Sequence, residues 1–330
     1  MDVGSESFEA LDGQIVDGFV LVRELARGRT SVVYQALDSA EDNRMVAFKV
    51  LQSPERRLSV SPDVDDNAFE REAKVARLVD DPGILRMYRT GRLPDGRCWV
   101  VAELAEGMTL EEELRHRGTI PWPEALEVAT RLAAAVGGLH RRRIVHRDLT
   151  PARAMVRLGR EGKLRVKIID FGLARFVYEP DGRGSGRDSS TVGTPRYMAP
   201  EQARGAGTSA QTDVYSVGLL LYEMLTGRSP LGSPEPTPAE ALAYLRSRKP
   251  LPSIAVGSLV RELPRSIAEV VDRTLSRDPR LRAPHGEGLA RELEAARAAA
   301  AEDPVMQASA LERLKRSVGG LVAKVKPRRD

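Results

Sequence analysis

One cysteine, Cys98, and four histidines are all that this 330-residue chain offers to disulfides and soft metals. A single cysteine forms no intrachain disulfide and supplies no cysteine zinc cluster. His116, His140, His146 and His285 lack metal-ligand spacing. Long apolar runs are missing too. No stretch of about 18 apolar residues occurs, so no transmembrane helix is expected. The opening MDVGSESFEALDG is acidic and polar, unlike a signal peptide, and a cytoplasmic location is expected. Nor is there a strong excess of one charge. The formal net charge is +4, and residues 305–330 account for it, with seven Lys/Arg against Glu312 and Asp330. The body is near neutral, so no nucleic-acid partner is expected. What is present is an ordinary soluble composition, 42% hydrophobic and 30% charged, in a chain long enough for one large domain or two lobes.

Short β-rich runs come first: FVLVREL, SVVYQAL and MVAFKVL, then ILRMYRTG and RCWVVAEL joined by a PDG turn. Residues 1–17 read as loose and 53–66 as a loop. Between the strand groups, AFEREAKVARLV has helical spacing, with Phe69, Ala73, Ala76 and Val79 on one face. After Gly107 the texture turns helical. Thr109 with Glu112 makes a capping-box pattern, and PWPEALEVATRLAAAVGGLHRRR is a long amphipathic helix with proline near its start. Further helical periodicity lies near 213–226, 238–248, 265–276 and 287–301. A mostly β front and a mostly α back make an α+β, two-lobed molecule with a cleft as its default ligand site.

Seven stretches carry candidate chemistry. LARGRTSVVYQA, 25–36, lies between two strands, which excludes a dinucleotide fold or a Walker loop. Its small residues Ala26, Gly28 and Ser31 suit either backbone N–H groups laid over phosphates or a plain hairpin. Lys49 ends an apolar strand. It is either a surface lysine or a cleft cation needing an anion, which Glu72 on the next helix can supply. HRDL, 146–149, and DFG, 170–172, place two aspartates on loops, suiting one base and one metal ligand. GTPRYMAPEQ, 193–202, then QTDVYSVGLLLYEMLTG, 211–227, and RDPRLRAP, 277–284, complete the series.

With these motifs in this order, the chain resembles the eukaryotic-like (Hanks-type) serine/threonine protein kinases of bacteria over about residues 18–297. The resemblance implies an N-lobe over 18–105, a helical C-lobe over 106–297 and a tail over 298–330. It implies ATP and Mg²⁺, or Mn²⁺, as cofactors and a protein hydroxyl as acceptor. On that pattern Lys49 holds the α/β-phosphates and pairs with Glu72, Asp148 accepts the hydroxyl proton, and Asp170 holds the metal. Ala26, Gly28, Ser31, Val33, Ala47 and Met155 line the nucleotide, and Glu103 to Ala105 form the hinge that meets adenine. Asp213 braces the catalytic loop, and Glu201 pairs with Arg282. Arg147, beside the base, implies control by phosphorylation, for which Ser185, Ser189, Ser190 and Thr191 are candidates or simply parts of an unmodified loop.

The chain departs from the pattern at several points. Ala26 and Ser31 replace glycines; each Cβ restricts positive φ and crowds the phosphates, which implies weaker nucleotide affinity. Ala102 is small where the family carries something larger, implying a back pocket behind adenine. Thr150 stands where the pattern has lysine, and Arg153 where it has the asparagine that binds a second Mg²⁺. Arginine has no lone pair and ligates no cation. Two readings follow. Either Arg153 returns the lost charge and a slower, one-metal activity persists, or the site is dead, at a cost of roughly 10³-fold or more, and the protein is a binding or scaffolding pseudokinase.

The tail places Leu311, Leu314, Val318, Leu321 and Val325 on one stripe among basic residues. It suits an amphipathic membrane-surface helix, a helix docked on the body, or a solubilising tail. Docking or solubilisation is the expectation, with membrane contact as the alternative.

Overall fold

Strands at the front of the molecule form where Val, Phe, Tyr and Trp recur. The computed structural model describes residues 11–28, 30–52, 62–158, 164–176, 193–232, 236–247 and 255–303. Within them β1 (Ile15–Val16), β2 (Phe19–Arg27), β3 (Ser31–Asp38), β4 (Arg44–Leu51), β5 (Met87–Arg92) and β6 (Cys98–Glu103) form one antiparallel sheet in the order β1-β2-β3-β4-β6-β5. One face buries Phe19, Leu21, Tyr34, Phe48 and Trp99, the last two stacked at 5.2 Å between ring centroids. The other face buries Leu51, Met87, Cys98, Val100 and Ala102 beneath Phe69 and Ala73 of helix α1 (Pro62–Leu78).

Two expectations are corrected here. Residues 62–66 are helical, not loop. Pro62 opens α1 and Asp63, Asp65 and Asp66 follow, the residue types a helix N-terminus favours. Residues 11–17 are not loose. Leu11 is buried with its N–H directed at the Tyr34 hydroxyl, and β1 pairs with β2.

The back is helical. Helix α2 (Leu110–Arg117) carries the expected capping box between Thr109 and Glu112. The long α3 (Trp122–Arg141) buries Leu126, Ala129, Leu132 and Leu139 in one core, shared with the almost wholly buried α5 (Ala210–Thr226), α8 (Arg265–Thr274) and α9 (Gly286–Glu302). Shorter helices are α4 (Pro200–Ala203), α6 (Pro238–Arg246) and α7 (Val256–Leu259). Helix α9 continues to Glu302, beyond the residue 297 at which the sequence pattern ends the domain.

Small sheets carry the loops of the cleft. β7 (Met108–Thr109), β9 (Ala154–Leu158) and β10 (Leu164–Ile168) form one, and β8 (Ile144–Val145) pairs with β11 (Arg175–Phe176). Gly107, at φ 109°, passes so close to β9 that an added Cβ would lie 2.2 Å from the Val156 carbonyl oxygen. Only glycine fits where the chain leaves the β lobe for the α lobe.

Beneath the cleft, Arg282 forms a two-pronged ion pair with Glu201 at 2.7 and 2.9 Å, and also donates to the Gln211 and Ser276 carbonyls. Both side chains are buried. Removing one partner leaves a buried charge uncompensated. Arg282→Met is therefore expected to lower stability by about 3–5 kcal/mol, measured as a shifted urea midpoint.

Candidate active site

The cleft collects charged side chains from five elements. Lys49, near the end of β4, lies opposite Val33 in the β3–β4 register. Its Nζ is 2.6 Å from Glu72 of α1 and 3.9 Å from Asp170. Burial works against the lysine charge, but Glu72 and Asp170 outweigh it and raise its pKa. Arg71, next to Glu72, donates from Nη1 to the Gly172 carbonyl at 2.7 Å. Helix α1 thus grips both the strand lysine and the DFG turn. Phe171 of that turn is fully buried, edge-on to the His146 ring at 5.4 Å. Burial lowers the His146 pKa, which favours a neutral ring in that apolar contact.

The loop carrying Asp148 is held from below. Asp213 of α5 accepts from the His146 N–H at 2.8 Å and the Arg147 N–H at 2.9 Å, and lies 2.9 Å from His140 Nε2. Burial raises the Asp213 carboxyl, yet these partners outweigh it and its pKa is lowered. Arg147 and Asp170 adopt positive φ, 70° and 66°. Such backbone is uncommon for side-chain-bearing residues and persists where surroundings fix it. Here the Asp213 bond to Arg147 N–H, and the Gly172 N–H bond to Asp170 Oδ1 at 3.2 Å, do so.

Arg153 joins the two aspartates. Its Nε donates to Asp170 Oδ2 at 2.9 Å, and its Nη1 donates to the Asp148 carbonyl at 3.0 Å and to Asp148 Oδ2. The other Asp148 oxygen accepts from the Thr194 N–H at 3.0 Å. Burial pushes the Asp170 carboxyl up, but Lys49 and Arg153 together hold it well below the usual carboxylate range. Charges therefore alternate along Glu72, Lys49, Asp170, Arg153 and Asp148. Thr150 is buried and supplies no charge.

These residues do not fit a two-ion Mg²⁺ site. Asp170 is an oxygen donor, but position 153 offers only donor N–H groups. No group of three His, Cys, Asp or Glu side chains among the described residues could hold a metal ion.

The other positions expected at the site lie on neighbouring strands and turns. Ala47 and Ala102 are register partners on β4 and β6. Glu103 ends β6, its carboxylate paired with Lys167 of β10 and accepting the Arg86 N–H at 2.9 Å. Ala105 and Met155 are half-buried, and Met155 lies opposite Lys167. Ala102 is buried among Phe69, Ala73 and Val100. At the hairpin, Gly28 N–H donates to the Ser31 carbonyl at 2.9 Å, and Gln52 Nε2 donates to the Gly28 carbonyl at 2.7 Å. Neither Ala26 nor Ser31 has positive φ. Their Cβ atoms therefore impose no backbone strain in this conformation, which leaves crowding of the phosphates as the ground for weaker nucleotide affinity. Ser185, Ser189, Ser190, Thr191 and the tail stripe from Leu311 to Val325 lie outside the described residues, as does the Ala76 side chain.

Sequence reading missed four contacts: Arg71 to Gly172, Thr194 to Asp148, Lys167 to Glu103 and His140 to Asp213. Each joins segments far apart in the chain. The adjacency of Arg71 to Glu72 was the only local signal.

Comparison with known proteins shows the family. The protein kinase domain model matches residues 19–293. The probable serine/threonine-protein kinase PknB of Lactococcus lactis is 30% identical over 79% of this chain and 39% of its own length. Serine/threonine-protein kinase pkn2 of Myxococcus xanthus is 34% identical over 88% and 34%. PknB of Mycobacterium tuberculosis is 34% identical over 72% and 37%. The chain thus spans a little over a third of the length of these relatives.

Proposed function

Because the chain belongs to the protein kinase domain family, in its bacterial Hanks-type serine/threonine branch, we propose that it transfers the γ-phosphoryl group of ATP to serine or threonine hydroxyls of a protein, at a reduced rate. The observation that carries this reading is the assembled charge row: Lys49 held by Glu72 at 2.6 Å and reaching Asp170, with Asp148 at the far end. In the proposed step the acceptor oxygen attacks the γ-phosphorus, its proton passes to Asp148, and the bond to the departing ADP oxygen breaks. ADP leaves with the electron pair of that bond. Lys49 faces the polyphosphate, Glu103 to Ala105 meet adenine through their backbone, and Ala26, Gly28, Ser31, Val33, Ala47 and Met155 enclose the nucleotide. Asp170 is the side chain that would hold a single Mg²⁺ or Mn²⁺, which when bound adds positive charge beside the phosphates.

A second reading has its own observation. Both Asp148 oxygens accept hydrogen bonds, from Arg153 and from the Thr194 N–H, which favours a pseudokinase that binds nucleotide and partners without transfer. Lys49→Met separates the two. On the proposed reading, labelled phosphate from ATP appears in the wild-type protein and falls by about 10²-fold or more in the variant, since the lysine charge at the phosphates is gone. Equal incorporation by both proteins removes the proposal.

The acceptor protein, or a signalling partner, is part of the same proposal. No helix among the described residues is long and apolar enough to cross a membrane. The basic tail is proposed to dock on the body or to solubilise it, and a membrane-surface role is the alternative.

A further inference from the structure

The guanidinium of Arg153 is only partly used by its carboxylate partners. Of its five N–H donors, the one on Nε goes to Asp170, and Nη1 serves the Asp148 carboxylate and carbonyl. The two donors on Nη2 have no hydrogen-bond partner among the described residues, and the side chain keeps 26% of its exposure. An arginine so held has already lost its rotamer freedom, so the cost of ordering it for an anion is small. Its open edge presents the two N–H donors of Nη2, each able to bond a phosphate oxygen.

Arg153 also lowers the electrostatic cost of placing an anion there. Three carboxylates, Glu72, Asp170 and Asp148, face two cations, Lys49 and Arg153. The Arg153 guanidinium already partly neutralises Asp148 and Asp170, the pair that a divalent cation would otherwise shield from a polyphosphate. The anion therefore meets an open guanidinium edge beside the carboxylates.

We infer that Arg153 is a built-in counter-ion, and that the cleft binds the polyphosphate of a nucleoside triphosphate without a divalent cation, through the Nη2 edge of Arg153 together with Lys49. This rests on the reading of the cleft as the nucleotide site. It goes beyond that reading by assigning metal-independent binding to one residue. A divalent cation then adds little to affinity, because Asp170 already carries the guanidinium and position 153 gives no ligand.

The test uses the full chain and a fluorescent N-methylanthraniloyl ATP, titrated in EDTA and again in Mg²⁺. Wild type is expected to bind in both, with dissociation constants within about threefold, well under the tenfold step set by a single charge-assisted hydrogen bond. Arg153→Asn is expected to weaken binding in EDTA by about tenfold or more. Arg153→Lys keeps the charge, loses the planar Nη2 donors and is expected to fall between. Thermal melting of each variant reports folding. If Arg153→Asn does not fold, wild type against Arg153→Lys in EDTA decides, with equal affinities overturning the inference. Wild-type binding only in Mg²⁺, or undiminished binding by a folded Arg153→Asn in EDTA, also overturns it. Labelled-phosphate transfer measured on the same samples keeps the two proposals apart. Binding in EDTA without transfer under any divalent cation removes the kinase reading and leaves this one. Transfer that needs Mg²⁺, with no binding in EDTA, does the reverse.

Discussion

Asp148→Asn is expected to lower incorporation of labelled γ-phosphate by about 10²–10⁴-fold, the range a positioned general base contributes. Asparagine is nearly the same shape and keeps an oxygen for the Thr194 N–H or for Arg153, both of which bond Asp148 in the native chain. It cannot take up a proton at neutral pH. The loop below it is fixed by Asp213, through the His146 and Arg147 N–H groups, and not by Asp148. The melting temperature should therefore change little. Nucleotide binding should persist, because the variant removes a negative charge beside the phosphates. A rate loss with retained binding and folding is the signature of a group acting on the reacting atoms. A variant as fast as wild type would assign the proton to some other acceptor.

The second large effect concerns Thr150 and Arg153 together. On the charge-swap account Arg153 is the main cation beyond Lys49 near the transferring group. Arg153→Asn alone is then expected to cost about 10²–10³-fold in transfer, the loss seen when one preorganised stabilising donor is removed. Adding Thr150→Lys to Arg153→Asn restores the pattern lysine and the pattern asparagine together and is expected to recover most of that loss. Thr150 is buried, so the new lysine must route its amine into the cleft, and some of the recovery will be lost to that rearrangement. The pseudokinase account expects the opposite order: a silent wild type, and a double variant that wakes. Initial rates from the wild type, Arg153→Asn and the double variant, compared at saturating ATP, distinguish the two orders.

Much of the fold was legible because its signals are periodic or stereotyped. The capping box at Thr109 and Glu112, the 3.6-residue stripe of α3 and the alternating strands β3 and β4 all follow from local rules. Segments held by tertiary context were not legible. Strand β9, AMVRL, follows directly on the catalytic loop and is defined by pairing with β10 and β7, partners that local sequence does not reveal. The start of α1 was obscured because Pro62 and its neighbouring aspartates resemble a turn as much as a helix N-terminus. At the site, the residue types were readable and their bonding was not. Arg153 could be seen to lack a metal-binding lone pair. That its guanidinium reaches both Asp148 and Asp170 depends on how the turn at 151–153 and the DFG turn face each other. Likewise, the missing glycines at 26 and 31 suggested strain, and only the backbone shows that neither position uses positive φ.

The most direct measurement of the account is phosphate incorporation by wild type and Arg153→Asn, side by side, at nucleotide concentrations that saturate each protein. Saturation removes the binding difference, so the readout isolates what Arg153 does during transfer. The account predicts measurable incorporation by wild type and a rate lower by about 10²-fold or more in the variant. A variant as fast as wild type, or faster, contradicts it and makes Arg153 an obstruction rather than the cation of the site.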